Sequence, residues 1–196
     1  MSKREDIRIT KSKRDLRNAL TEMMLTTPFE KITVGEICEK AMVNRMTFYK
    51  HYADKYELMN DLLLKIKQSI KTRIEISSPS ASIENNTMEF TFALVDAIVD
   101  ECLDRKQFLM AVHNSELVLT MISTTIEKTV GDLMGEYGKN YRFKYNINLL
   151  SSAVTGAASF LIRNWLFHYP EDTKDKFLTN IKEFCKSLFD SKILFA

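Results

Sequence analysis

Apolar residues recur at intervals of three and four along most of this chain, and nowhere alternate for long enough to mark a strand. From Ser12 onward, Leu16, Leu20, Met23 and Met24 share one helical face until "TTPF" at 26–29 stops the pattern. Three helix starts then follow within 25 residues. Thr33 with Glu36 three positions on is a capping box, and Ile32 before it can staple to Ile37. Asn44 is a good N-cap, with Val43 placed to staple to Phe48. Asp54 and Glu57 form a second box, opening a long helix marked by Leu58, Leu62, Ile66 and Ile70. "SSPSAS" at 77–82 reads as a linker of turn formers. Beyond it the spacing of Met88, Val95, Ile98, Val99 and Cys102 predicts another helix, followed by a short one at 108–113 and one from Ser115 towards Met134. "GEYGKN" at 135–140 reads as a break, and two long segments, 144–168 and 173–189, close the chain. The pattern predicts an all-α protein with short helices near the front and long ones behind.

Two short helices joined by a three- to four-residue turn describe a helix-turn-helix, whose second helix lies in the major groove of DNA. The stretch "VNRMTFYKHY" at 43–52 carries the side chains such a helix needs. Val43, Phe48 and Tyr52, five and four apart, turn inward, leaving Asn44, Arg45, Thr47, Tyr49 and His51 outside. Arginine pairs bidentately with guanine, Asn and Thr meet base edges or phosphate, and Thr or Met can touch a thymine methyl. A tyrosine hydroxyl reaches phosphate from a position too far out to read bases. Lys55, in the first turn after Asp54, adds a cation beside a helix N-terminus, which itself favours anions.

Composition narrows the picture in the same direction. Residues 1–55 carry 12 Lys/Arg against 8 Asp/Glu, and residues 56–196 carry 16 against 18, so a basic front sits on a slightly acidic body. An anionic partner at one end fits this asymmetry; so does a solvated charged tail. Only five glycines and three prolines are present, which favours long helices, and 45% hydrophobic residues suffice for a core. No apolar run approaches the roughly 18 residues of a membrane span, and "MSKREDIRITKSKR" lacks the apolar stretch of a secretory signal, so a cytoplasmic protein without a membrane partner is expected. Cys38, Cys102 and Cys185 are far apart and read as reduced, mostly buried thiols. His51, His113 and His168 are too scattered to suggest a metal site, no nucleotide-binding, hydrolase or zinc-protease motif appears, and neither cofactor nor enzyme activity is expected. "NNT" at 85–87 matches a glycosylation acceptor, which a cytoplasmic protein would not have modified.

The segment "ITVGEICEKAMVNRMTFYKHYADKYEL" at 32–58 resembles the DNA-binding signature of TetR-family transcriptional regulators, in the "ITV" start, Ala41 before the turn, the "TFY" triplet and the "YADKYEL" exit. The resemblance implies a three-helix DNA-binding domain over 1–55, a connecting helix from about 55 to 76, and a larger helical domain over 56–196 that dimerises and usually holds an effector pocket. It implies that Thr33 and Gly35 open the supporting helix near phosphate, that Arg45, Met46 and Thr47 face the groove, and that Tyr49 and Lys55 face the backbone. Two departures stand out: Met42 where the family often has glycine in the turn, and Tyr52 where it often has phenylalanine. A buried Tyr52 needs a partner for its hydroxyl.

The C-terminal helices are the candidates for a dimer interface. Gly156, Ala157 and Ala158 permit close approach of another helix, and Phe177, Ile181, Phe184 and Leu188 form a stripe at helical spacing; packing of both within one subunit is the alternative. In family members the last two long helices commonly build a four-helix bundle with their symmetry mates. The region from Ser151 is also similar to DhaS-type regulators, in a Gly and a Trp nine residues apart (Gly156, Trp165). Candidate effector-pocket residues are Phe92, Phe108, Met110, His113, Met121, Arg163 and Trp165, each also explicable as core or as a polar group needing a partner. The resulting expectation is a ligand-responsive repressor, homodimeric on a pseudo-palindromic operator with half-sites about 34–36 Å apart or a multiple, for an unknown small-molecule effector. The alternative is a TetR-like adaptor that binds a partner protein instead of DNA.

Overall fold

The computed structural model describes residues 3–79, 87–112, 115–140, 144–168 and 173–190. Among these lie nine α-helices and a 3₁₀ turn at Phe29–Lys31, with no strand: α1 (Lys3–Met24), α2 (Val34–Lys40), α3 (Arg45–His51), α4 (Lys55–Ser77), α5 (Thr87–Asp104), α6 (Lys106–Val112), α7 (Glu116–Asn140), α8 (Ile147–His168) and α9 (Lys174–Asp190). The all-α expectation holds for every described residue.

Two compact units form, one of Met1–Lys67 with Arg105–Ile122, the other of Gln68–Asp104 with Ser123–Ala196. The first is therefore more than the contiguous stretch 1–55. Its core collects Leu16 and Leu20 from α1, Phe29 from the 3₁₀ turn, Ile32, Ile37 from α2, Phe48 from α3 and Leu58 and Met59 from α4. Phe108 and Val112 of α6 and Val118 of α7 join the same cluster. The α6–α7 corner is tied down by Ser115, whose hydroxyl donates to Glu30 Oε1 at 2.6 Å and accepts from the Val118 amide at 3.3 Å, so one buried side chain both caps α7 and holds the 3₁₀ turn. That Ser115 bond, first, and the residue's own backbone hold the Glu30 carboxyl below its ordinary value.

The second unit packs Ile74 of α4 on Ala93 and Ala97 of α5. Glu101, almost fully buried, accepts from Ser69 at 2.8 Å and Arg73 at 3.1 Å, and Arg73 also pairs with Asp104. Satisfying that carboxylate is what makes its burial tolerable. On α9, Lys182 reaches Asp96 of α5 at 2.6 Å and Lys174 pairs with Asp100. Trp165 of α8 stacks on Phe177 of α9, rings 4.3 Å apart and 6° from parallel.

Two boundaries differ from expectation. Helix α1 begins at Lys3, well before Ser12. Helix α7 runs straight through "GEYGKN" to Asn140: each glycine costs a helix only about 1 kcal/mol relative to alanine, and no proline is there to stop it. The tip of the proposed linker, Ser80 to Ser82, the "NN" of the glycosylation match, and His113 lie outside the described residues. The cysteines are free, with Cys38 buried and the other two half-buried. Burial raises all three thiols, Cys102 to about 11 with help from the Glu101 charge, so none is poised as a thiolate. No helix among the described residues is long and apolar enough to cross a membrane.

Candidate nucleic-acid interface

The geometry of α2 and α3 follows from caps that the sequence carries locally. At the start of α2 the Thr33 hydroxyl accepts from the Glu36 amide at 3.3 Å, while the Glu36 carboxylate accepts from the Thr33 amide at 2.8 Å and hydroxyl at 2.6 Å. Those Thr33 bonds hold the Glu36 carboxyl below its ordinary value. Thr33 is thus committed to a carboxylate, and the anion at this N-terminus is Glu36; a phosphate docking here must contend with it.

Helix α2 ends in a Schellman motif. The Val43 amide bonds to the Cys38 carbonyl at 2.9 Å and the Met42 amide to the Glu39 carbonyl at 3.0 Å. The motif needs a left-handed residue after the C-cap, and Met42 supplies it at φ 52°, the single non-glycine residue with positive φ among those described. This is where the resemblance anticipated glycine, and a side chain here costs roughly 1 kcal/mol or more. Asn44 then starts α3, its Oδ1 accepting from the Met46 amide at 2.8 Å. Phe48 and Tyr52 point into the core and Val43 packs against it.

Tyr52 finds the partner its hydroxyl required. It donates to Asp61 Oδ2 of α4 at 2.5 Å, and Arg17 of α1 donates to the same oxygen at 2.6 Å. Burial, then the Asp61 bond, pushes the Tyr52 phenol far above its ordinary range. Burial opposes ionisation of Asp61, but the Tyr52 and Arg17 bonds outweigh it and hold its carboxyl below the usual value. One charge-assisted cluster thereby pins the C-terminal end of α3 to both α1 and α4.

The outward face of α3 carries Arg45, Met46 and Tyr49, all exposed, with Thr47 half-buried. The Arg45 guanidinium lies against Gly35 of α2, so close that a Cβ added there would fall 2.3 Å from Nη2. Gly35 is therefore matched to Arg45 by close approach of a side chain, not by backbone conformation. At the other end of α3, burial and then the Lys13 and Lys50 charges hold His51 below its ordinary value. Lys13 Nζ also sits 5.3 Å above the Tyr52 ring, which brings the basic N-terminal half of α1 beside this end of the helix.

Lys55 is placed differently from the expectation. Its ammonium donates to the carbonyls of Phe29 at 2.9 Å, Glu30 at 2.8 Å and Ile32 at 2.8 Å, and lies 4.9 Å from the Phe29 ring centroid. All three donors are used within the protein, capping the end of the 3₁₀ turn, so no N–H remains for phosphate. Burial, partly offset by Glu30 and Glu36, lowers its pKa. The cap of α4 also shifts by one residue: Asp54 Oδ1 accepts from Tyr56 and Glu57 amides, both at 2.9 Å, while the Glu57 carboxylate reaches Ala53 instead of Asp54.

Among the described residues, those expected to line an effector pocket fall in both units: Phe108, Met110 and Met121 in the first, Phe92, Arg163 and Trp165 in the second. Phe108 and Met121 belong to the hydrophobic cluster of the first unit, and Met110 of the same unit is exposed. In the second unit Trp165 is buried under Phe177, Arg163 is exposed and Phe92 lies beneath Lys182, 5.9 Å from Nζ to ring centroid. A cleft of about 320 Å³ does open between α7 and α8, lined by Thr124, Glu127, Lys128, Gly131, Asn148 and Ser151, none of which the sequence singled out. Of the expected interface residues, Gly156, Ala157 and Phe184 are exposed, and Ile181 and Leu188 half-buried. Leu149, Phe160 and Leu161 of α8 are exposed as well.

The architecture is that of TetR-family regulators: a fold with a short capped helix-turn-helix behind a long first helix and a larger helical unit. A protein from Syntrophomonas wolfei assigned to that family superposes with a TM-score of 0.70 at 12% identity, over 91% of this chain and 95% of its own. NalD of Pseudomonas aeruginosa, the secondary repressor of the MexAB-OprM multidrug efflux pump, gives a TM-score of 0.62 at 16% identity, covering 95% and 98%. The dihydroxyacetone kinase operon activator DhaS gives 0.55 at 12%, covering 94% and 98%. No protein-family model matches the chain, and no curated protein matches it significantly in sequence.

Proposed function

We propose that this chain is a sequence-specific DNA-binding transcriptional regulator of TetR type, acting as a homodimer on a pseudo-palindromic operator in the cytoplasm. The observation that carries this reading is α3 itself. It is a seven-residue helix capped by Asn44, anchored through Phe48 and the Tyr52–Asp61 bond, and presenting Arg45, Met46 and Tyr49 to solvent. A rigid helix with those side chains outward, behind a helix that supports it, suits the major groove. Tyr49 with the Lys50 and Lys13 cations would take phosphates, and Arg45 would read guanine or hold the backbone.

Dimerisation is supported by exposed apolar residues on both closing helices, Leu149, Phe160 and Leu161 on α8 with the small Gly156 and Ala157, and Phe184 on α9. Apolar surface of this kind suits a second copy of the same chain, and a pseudo-palindromic operator asks for a two-fold pair. Control by a small molecule follows from the same reading, with repression as the default. The α7–α8 cleft, at the small end of ligand sites, is the place we assign to such an effector. Such an effector acts only through different affinities for the DNA-competent and incompetent states.

The test is selection of genomic fragments by purified protein near physiological salt, with Arg45→Ala in parallel. One palindromic site recovered by the wild type and lost by the variant is the expected result. Salt-sensitive, sequence-blind retention by both proteins overturns the reading and points to a protein partner instead.

A further inference from the structure

Several polar groups of the helix-turn-helix are already engaged. Asn44 spends its oxygen on the Met46 amide, Thr33 is closed on Glu36, and Lys55 is bound to three carbonyls. The Arg45 guanidinium lies back over Gly35, towards α2. At the middle of the exposed face stands an apolar side chain, Met46, 82% exposed, with Tyr49, three residues on, 58% exposed and Met42 of the turn 93% exposed. A thioether reaching 82% exposure on a helix packed this tightly gains nothing from the folded monomer. Glutamine or lysine would fill the same position with better solvation.

Resting on the DNA-binding reading above, we infer that Met46 is a specificity-determining residue that recognises the 5-methyl group of a thymine in each operator half-site. The major-groove edge offers one apolar feature, that methyl, and it marks the position of thymine uniquely among the four bases. A hydrogen-bonding side chain distinguishes bases by donors and acceptors; an unbranched thioether distinguishes them by whether there is a methyl to cover. Methionine's flexible, polarisable side chain adapts to that small target. Met46 lies one residue from Arg45 and three from Tyr49, so the methyl contact falls between the groups assigned to the guanine or backbone and to phosphate.

The experiment uses the full-length protein and the operator recovered by fragment selection, and replaces each thymine of a half-site in turn by deoxyuridine. This removes one methyl and leaves pairing and the O4 acceptor intact. One position is expected to lose about four-fold in affinity per half-site, the equivalent of one buried methyl, and about 15-fold when both half-sites carry it. Met46→Gln, close in length but polar, should become indifferent to that same replacement while keeping the wild-type midpoint of thermal denaturation; Met46→Leu should retain the sensitivity. The inference fails if the wild type tolerates deoxyuridine everywhere, or if Met46→Gln loses as much as the wild type. Recovery of no specific site would remove the DNA-binding reading and this inference with it, whereas a specific site insensitive to every methyl removes this inference alone.

Discussion

Removing the Lys55 ammonium separates a structural lysine from a DNA contact. Lys55→Met keeps an unbranched side chain of similar length and deletes the ammonium, with its three N–H donors and its contact with the Phe29 ring. Hydrogen bonds from a charged group are worth about 1.5–3 kcal/mol each when sheltered. Here the Glu30 carbonyl is solvent-facing and water replaces its bond, while those of Phe29 and Ile32 are partly buried. Allowing for shared geometry and partial solvation, the net loss should be about 2 kcal/mol. For a chain of this length that lowers Tm by about 4–8 °C. Urea denaturation at fixed protein concentration measures the first quantity and calorimetry the second. The companion assay is the slope of log affinity for the operator against log salt. A lost phosphate contact would flatten it by about 0.9, and a structural lysine leaves it unchanged in the fraction of protein still folded. Stability unchanged within about 0.5 kcal/mol together with a flattened slope would refute the placement of Lys55 as a cap.

Two further outcomes follow from the same unit. Met42→Gly relieves a left-handed side chain that makes almost no contact, and even after the extra freedom glycine gives the unfolded chain it should stabilise by about 0.5–1 kcal/mol, raising Tm by about 1–4 °C in thermal denaturation. Tyr52→Phe removes a donor from Asp61 and should cost about 1 kcal/mol at neutral pH. Its pH dependence has a definite sign. Asp61 is held below its ordinary value, so its ionised form contributes stability above about pH 4 and loses it as pH falls through the lower folded value. The deficit of the Tyr52→Phe variant should therefore shrink in urea titrations carried out below about pH 4; a deficit constant down to the acid limit would mean the hydroxyl acts through packing alone.

Sequence alone determined the local architecture, because the physics involved acts within four residues. The Thr33–Glu36 box, the Asn44 cap, the inward set Val43, Phe48 and Tyr52, and the demand of Tyr52 for a partner all depend on neighbours that any reader of the chain can count. The odd residue in the turn, Met42, was visible too, and the structure gives it the positive φ that a Schellman turn imposes. What the sequence left undecided were choices among partners distant along the chain. Lys55 sits in a helix's first turn, where a phosphate ligand and a carbonyl cap look alike; only the approach of Phe29, Glu30 and Ile32, 23 to 26 residues away, makes it a cap. Arg45 settles against Gly35 because α2 and α3 cross there. The segment Arg105–Ile122 packs with the N-terminal unit because Phe108, Val112 and Val118 fill its core and Ser115 bonds to Glu30, 85 residues earlier. Phe108 and Trp165 could line a pocket by their spacing but read more readily as core, and both are buried. Helical spacing tells which face of an element is apolar, but the surface that covers that face is chosen in three dimensions.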